Sequence, residues 1–445
     1  MKKIFSLILF ICVSNVSAQS FDKAKLDQYV DALEAPEKAM FSLAVVENGQ
    51  PIYQKSIGFT DVENKQKANK DTQYRIGSIT KVFTSTMIFQ LIDEGKLSLD
   101  TKLSKYYPKV KNAKKITISM LLNHRSGIHN FTNTPEYTSY MTQPKTKAEM
   151  ISVIEDSDSD FKPDSRANYS NSGYVLLGFI LEDITQDSYA NQLQQRIAKK
   201  LNLDRTTYGG PINVQDNQAK SYKHNAQGWT PDTETDMSIP HGAGAIISTP
   251  TEVAKFLSSL LTGKLVSADS LAKMKELNQG FGRGLFQFPF HDKKAYGHNG
   301  GIDGFSSITG YFADEDVAFT LTSNGMNYAM NDINISVLSI YYGLPYDIPD
   351  FDQKPIELAE KDLTKYEGVF SSKAMPLKIT VKVTDGQLTA QATGQGAFNL
   401  TPYSTAEFRF DPAGIVMIFG TAGDSVDYST FQLQQGGRDS KFTKE

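Results

Sequence analysis

Apolar positions along the chain recur with two periods, one helical and one of strand type, and each predicts a kind of element. Phe21 to Leu33 shows a polar-faced helical period. Phe41 to Val46, apolar but for Ser42, reads as a strand. Asn48-Gly49 is a two-residue hairpin signal, and Ile52 to Ile57 is expected to pair back. After Ser78 the period becomes helical, with Val82, Phe83, Met87, Ile88, Leu91 and Ile92 on it and Gly95 where a C-terminal cap belongs.

Further on, Ile116 to Ile128 reads as a short helix ending in a turn. Lys147 to Glu155, Tyr174 to Ile184 and Ser188 to Leu201 read as helices. Residues 129 to 165 are rich in Thr, Asn, Asp, Ser and Pro, a loop composition that suits the rim of a cleft. Residues 206 to 240 also read as loop. Thr249-Pro250-Thr251-Glu252 predicts a capping box opening a helix to Leu261. Tyr296 to Gly304 is glycine-rich and polar. Ser306 to Phe312 and Val317 to Thr322 read as strands joined at Asp314-Glu315-Asp316, and Asn331 to Tyr342 as a helix.

The pattern then changes. Pro345 to Pro355 is proline-rich and acidic, as linkers are. Beyond Tyr366 only strand periods remain: Leu377 to Val383 alternates, Asp385-Gly386 marks a hairpin, and Phe408 to Phe410 and Ile415 to Phe419 continue it. The expected organisation is a large mixed helix-and-strand unit over 25–345, a linker over 346–355 and a small antiparallel barrel or sandwich over 356–445. With 445 residues, two or three units are expected at about 150 residues each.

Composition narrows the classes. An apolar content of 40% with 11% aromatics suffices for a packed core. A net charge of -4 with interspersed signs offers no electrostatic case for nucleic acid or an anionic membrane. Met1-Lys2-Lys3, the apolar run Ile4 to Val13, and Val16-Ser17-Ala18 have the form of a signal peptide over 1–18. Export to the periplasm or medium is therefore expected. The single cysteine, Cys12, lies inside that segment. Thiol catalysis and disulfides are then excluded from the mature chain. No later run is long and apolar enough for a transmembrane anchor. His129, His224 and His291 are scattered, so no metal or other cofactor is expected.

The candidate chemistry starts at Ser78-Ile79-Thr80-Lys81. Positions three apart share a helix face, so the Lys81 amine can reach the Ser78 hydroxyl. A serine needs an adjacent base, and a lysine serves only if burial or neighbouring cations strip its proton. Helix-start N–H groups can receive an oxyanion. Ser-x-x-Lys is weak alone. It recurs at Ser20-Lys23 and Ser270-Lys273, which are expected to lack the helix-start context. Two other elements strengthen it: Tyr169-Ser170-Asn171 before an apolar helix, and His298-Asn299-Gly300-Gly301. A second Tyr-x-Asn, at Tyr189 to Asn191, sits inside an amphipathic helix and reads as structural.

With Leu121 to Ile128, Ser172-Gly173-Tyr174, Gly244 to Pro250 and Gly297 to Phe305, these motifs in this order resemble the serine β-lactamase and penicillin-binding-protein superfamily. The branch is the one holding class C β-lactamases, D,D-carboxypeptidases, D-aminopeptidases and esterases. The resemblance implies an α/β (α+β) sandwich: an antiparallel sheet flanked by helices, with an all-helical subdomain and the active site at their junction. It implies that Ser78 is acylated, that Lys81 relays its proton, and that Tyr169, as phenolate or proton shuttle, activates Ser78 and protonates the leaving group. It further implies that Asn171 bonds Lys81 and the substrate amide, and that the N–H groups of Ser78 and Gly301 form the oxyanion hole. His298 and Asn299 stand where the family's Lys-Thr-Gly element binds a substrate carboxylate. The His-x-Gly form is similar to peptidases, D-aminopeptidases and esterases.

The expected reaction is acyl transfer to water on an amide of a D-amino-acid peptide, as in cell-wall fragments. An esterase, a β-lactamase and a non-turnover penicillin-binding sensor remain alternatives. Among secondary residues, His124 reads as a structural histidine at a turn. His241 to Gly244 either lines the cleft or forms a core turn. Phe131, Tyr137 and Tyr140 either wall the cleft or pack their loop. Asp303 is a candidate to orient His298 or to bind a substrate amine.

Overall fold

The structure is a computed structural model that describes residues 21–35, 37–225, 227–422 and 425–445. The expected signal peptide, Cys12 and Ser20 lie outside the described residues.

Six strands make the central antiparallel sheet: β1 (Ala39–Glu47), β2 (Gln50–Ile57), β3 (Phe286–Phe290), β4 (Lys293–Ile302), β5 (Phe305–Phe312) and β6 (Val317–Met326). Their order is β3-β4-β5-β6-β1-β2. Asn48 and Gly49 take the positive φ values, 51° and 74°, that a two-residue hairpin requires. β1 pairs with β6, from Ala39 opposite Met326 to Glu47 opposite Val317. The chain therefore leaves the sheet after β2 and returns at β3. The stretch between carries most of the helices and three small sheets of two or three strands.

Five helices place the layers: α1 (Lys23–Ala32), α2 (Thr80–Asp93), α3 (Asn171–Thr185), α4 (Pro250–Leu261) and α5 (Met330–Tyr341). Both faces of β1 are covered, so that every residue from Ala39 to Val46 is buried and all but Ser42 are apolar. One face packs Phe41, Leu43 and Val45 with Leu26 of α1 and Val337 of α5. Val46 and Ala318 share the other core with α4, through Val253 and Leu257, and with α2 and α3. Every residue of α2 from Thr80 to Leu91 is buried. Each large apolar side chain so placed contributes about 1.5–3 kcal/mol. Phe83 stacks on Phe256 at 3.6 Å between centroids, which ties α2 to α4.

Several expectations need correction. The glycine-rich stretch from Tyr296, for which periodicity gave no element, is most of β4, held by ladders to β3 and β5 on its two sides. Its Gly-Gly pair has low strand propensity, and pairing overrides it. Thr249 caps α4 by accepting the Glu252 N–H at 3.2 Å. The return half of the expected box is replaced, because the Glu252 carboxylate takes the Arg205 N–H and the Thr206 hydroxyl instead. A complete capping box occurs at Thr146 and Glu149. The helix expected over 188–201 contains a π turn at Gln194–Ala198. Residues 206–240, read as loop, hold a two-stranded ribbon, Tyr222–Asn225 with Gly228–Pro231. They also supply Thr207–Tyr208 to a small sheet with Tyr74–Arg75 and Ile246–Ser248.

After α5 the chain runs without helix or strand from 343 to 359 and enters a nine-stranded antiparallel sheet. Its two outermost strands, Phe398–Asn399 and Thr401–Pro402, are separated only by Leu400. The sheet thus curls almost into a barrel around Phe370, Phe408, Met417, Phe431 and Phe442. Lys38 reaches Asp411 at 2.5 Å and ties this β-domain to the start of β1.

Candidate active site

The small sheet delivers the chain to Ser78. Tyr74–Arg75 ends in a 3-10 turn, Gly77–Ile79, and α2 begins at Thr80. Ser78 therefore stands just ahead of the helix rather than within it. Ile79 N–H makes the first bond of the turn, to the Ile76 carbonyl at 3.3 Å. The Ser78 N–H lies before that ladder, where helix-start donors are free to receive an anion.

The turn and strand β4 press together backbone to backbone. Gly77 has φ 50°, and a Cβ there would stand 2.8 Å from the Gly301 nitrogen. A Cβ on Gly300 would stand 2.1 Å from the Ile76 carbonyl oxygen. Ser307, on β5, donates to that same carbonyl at 2.9 Å. Side chains at 77 and 300 would drive the strand away from the serine. The glycines are required by this approach.

Lys81 is fully buried. Its Nζ lies 3.1 Å from Ser78 Oγ, 2.8 Å from Asn171 Oδ1 and 2.8 Å from the Ala243 carbonyl. No carboxylate comes within 4 Å of it among the described residues. Burial without a countercharge holds the amine well below the usual lysine range. The three neighbours suit an ammonium with three donors. They suit equally a neutral amine that donates to Asn171 and Ala243 and accepts from the Ser78 hydroxyl. Burial favours the second form, and that form can take a proton.

Tyr169 comes from the loop before α3. His124, itself at φ 59°, stacks on its ring at 4.3 Å between centroids. His124 Nδ1 accepts the Ser170 N–H at 3.2 Å, and its carbonyl accepts the Asn168 N–H at 2.9 Å. The residues on both sides of Tyr169 are thus held by one histidine. Burial, the Lys81 amine and His298 keep that ring well below the usual histidine range, and so neutral. Lys81 Nζ lies 4.9 Å from the Tyr169 ring centroid. Burial pushes the phenol upward, against a hydrogen bond from Ser78 that lowers it. The two groups flanking Ser78 are therefore pushed apart, the lysine toward giving up its proton and the tyrosine toward keeping it. Such a split suits a base and an acid on either side of one hydroxyl.

Asn171 opens α3. Beyond Lys81 it donates from Nδ2 to Thr132 Oγ1 at 3.2 Å, and its backbone N–H is held by Asn130 Oδ1 at 3.0 Å. A cavity of about 340 Å³ opens onto Ser78, Asn171, Gly301, Ala243 and Gly244. Phe131, Tyr137 and Met141 form an apolar wall. Tyr140, expected with them, is not part of it.

Other expected residues are placed differently. His298 is buried, its ring against Phe286 at 4.4 Å and its Nδ1 2.5 Å from the Asn299 carbonyl. Burial and the Lys81 amine push it down to about 3. It carries no charge at neutral pH and is not on the cavity wall. Asn299 points to the opposite face of the sheet, into a hollow that it shares with Phe288 and Ile308. One register step in a strand separates the two faces. Neither residue is positioned as the family's lysine and threonine are expected to be. His241 belongs to the core, stacked on Phe179 at 4.4 Å, while Ala243 and Gly244 beside it line the cavity. Asp303 does not meet His298. It accepts from Arg75 at 3.1 Å and from the Thr235 hydroxyl at 2.6 Å.

Arg75, the Ala243 carbonyl and the stacking role of His124 were not legible from motif spacing. Arg75 is buried and joins Asp303, Glu234 at 3.0 Å, and the carbonyls of Thr235 and Gly210. Its only signal is an arginine in an otherwise apolar approach to Ser78.

A serine hydroxyl beside a buried amine, a buried phenol and a strand edge of glycines defines an acyl-transferring serine hydrolase. The family model described as Beta-lactamase matches residues 26–338, and the chain belongs to that family. Teichoic acid D-alanine hydrolase of Staphylococcus aureus (strain MRSA252) is 28% identical over 245 residues, 55% of this chain and 58% of that one. The match thus spans little more than half the length of that curated relative. The D-amino acid amidase of Ochrobactrum anthropi SV3, solved with L-phenylalanine amide, is 26% identical with a TM-score of 0.61, covering 71% of this chain and 98% of the amidase. The octameric penicillin-binding protein homologue of Pyrococcus abyssi is 23% identical with a TM-score of 0.66 over 95% of this chain and 100% of its own, a likeness of fold that includes the β-domain.

Proposed function

We propose that the protein is an exported amidohydrolase that cleaves amides of D-amino acids through an acyl-Ser78 intermediate. The observation that carries this reading is the buried Lys81 amine, bonded to Ser78 with no carboxylate among the described residues to keep it charged. Lys81 takes the Ser78 proton as Oγ attacks the carbonyl carbon. The N–H groups of Ser78 and Gly301 hold the oxyanion. Tyr169 gives its proton to the leaving nitrogen and recovers one through Lys81. Water then attacks the acyl-serine along the reverse path. Asn171 fixes the amine and presents its amide to the substrate. The names of the amidase and the D-alanine hydrolase support a D-aminoacyl substrate. Export rests on the basic and apolar start of the sequence.

Mass spectrometry after treatment with a fluorophosphonate, with parallel hydrolysis assays on D- and L-alaninamide and nitrocefin, tests this. The expected result is a label on Ser78 and turnover of the D-amide. A label elsewhere, or turnover that persists in Ser78→Ala, would overturn it.

A further inference from the structure

The walls of the Ser78 cavity carry charge of both signs, and the charged groups in and behind them differ in how far they are already committed. Arg75 is committed to Asp303, Glu234 and two carbonyls. Asp303, with a side chain 1% exposed, is committed in turn to Arg75 and Thr235. Lys81 belongs to Ser78. One pair remains, Lys223 and Asp232, at 2.5 Å on the wall formed by the ribbon strands Tyr222–Asn225 and Gly228–Pro231 and the segment after them.

The two halves of that pair are unlike. The Asp232 side chain is 3% exposed. Its position is set by its own backbone N–H on the Ser221 carbonyl at 2.9 Å, and its Oδ1 accepts the Thr233 N–H at 2.6 Å. Lys223 has a side chain 67% exposed, and Asp232 is its one ion-pair partner among the described residues. A lysine so exposed gives up a surface ion pair at little cost and swings into water. The carboxylate cannot follow. A fixed anion covered by a removable cation is built to exchange that cation for another.

We propose that Asp232 is the subsite for the free α-ammonium of the substrate, which displaces the Lys223 amine from it. The inference deepens the reading of Ser78 as the centre of an amidohydrolase and rests on it. The substrate class is then an aminoacyl amide with an unblocked amino group. Acylation begins with that ammonium on Asp232, the side chain along Phe131 and Tyr137, and the scissile carbonyl over Ser78. The cavity, at about 340 Å³, is at the small end of ligand sites and holds roughly one residue on this side of the bond. Among the described residues Lys223 is the only cation on the cavity wall that a substrate carboxylate could use. In this arrangement it is spent on keeping Asp232 neutralised between turnovers.

Binding separates this subsite from the chemistry. Calorimetric titration of Ser78→Ala with D-alaninamide and with N-acetyl-D-alaninamide requires no reaction at position 78. The unblocked ligand is expected to bind about 10- to 100-fold more tightly, the range of one charge-assisted hydrogen bond. In Ser78→Ala combined with Asp232→Asn the preference is expected to vanish. Combined with Lys223→Met, affinity for D-alaninamide is expected to rise several-fold, because its competitor is gone. Equal affinity for the two ligands, no binding of D-alaninamide, or a preference that survives Asp232→Asn would overturn the proposal. So would tighter binding of D-alanyl-D-alanine than of D-alaninamide that Lys223→Met abolishes, since that assigns the pair to a carboxylate. Circular dichroism of the isosteric Asp232→Asn variant confirms that the fold persists. If Ser78 in the wild type resists the fluorophosphonate while the preference stands, the amidohydrolase reading fails and the ammonium subsite survives.

Discussion

Two copies of Ser-x-x-Lys, at Ser78 and at Ser270, stand at helix starts, and they fare differently. The helix start at Ser270 corrects the expectation for that copy. Ser270 lies in the first turn of the helix Ala268–Lys275, whose cap is Ser267. Its hydroxyl donates to Asp93 at 2.6 Å, and Ser267 donates to the same carboxylate at 2.7 Å. Lys273, three residues on, is exposed. At Ser78 the lysine is buried, its partners are uncharged, and a phenol faces the same oxygen. The helical offset is shared, but the surroundings are not. A carboxylate ties the second serine to a neighbouring helix, whereas an uncharged cage leaves the first with a base. Spacing brings serine and lysine together, and burial without countercharge makes the pair reactive.

The sharpest way to break this comparison is Ser78→Ala. Hydrolysis of D-alaninamide is expected to fall by about 10^5-fold or more, as when a nucleophile is removed, while Ser270→Ala changes it less than about twofold by the same measure of kcat/KM. Lys81→Met should follow at about 10^3-fold. In the wild type the amine must shed its proton to act, so kcat/KM is expected to fall as pH drops through a value well below the usual lysine range. A pH profile that this variant leaves unchanged in shape would sink the assignment. Tyr169→Phe should cost about 10^2- to 10^3-fold. Its loss should be smaller on an activated ester, whose leaving group needs no proton. The smallest effect sharpens the other side. Ser270→Ala should lower stability by about 1.5–3 kcal/mol, one hydrogen bond to a carboxylate, and melting temperature by about 3–10 °C, read by differential scanning calorimetry.

The periodic elements were the readable ones. α2, α3 and the hairpin of β1 and β2 have strong apolar periods and unambiguous turn residues, and the structure has them. Periodicity alone did not show strand β4, because Gly300 and Gly301 carry no apolar signal. Their role is to have no side chain where Ile76 and the serine turn approach, a long-range constraint that no local window contains. Ser78, Lys81, Tyr169, Asn171 and Gly301 could be nominated because they sit in short motifs; Ser78, Asn171 and Gly301 line the cavity, and Lys81 and Tyr169 are neighbours of Ser78. Asn299 was misplaced because the motif names residues without saying which face of the strand each takes. Arg75 was silent because its partners lie 135 to 228 positions away. Asp232 was silent because its meaning comes from a ribbon in a stretch that reads as loop.

The order of the central sheet leaves two outer strands, β2 and β3, each with one side unpaired among the described residues. Each carries a proline, Pro51 in one and Pro289 in the other. A proline has no amide hydrogen to offer a newcomer, and it is tolerated in a sheet only at such margins. A stray strand from another molecule would find a gap in the donor row on either flank. The layer that carries the serine turn on its inner strands is thereby protected from templating the growth of a fibril.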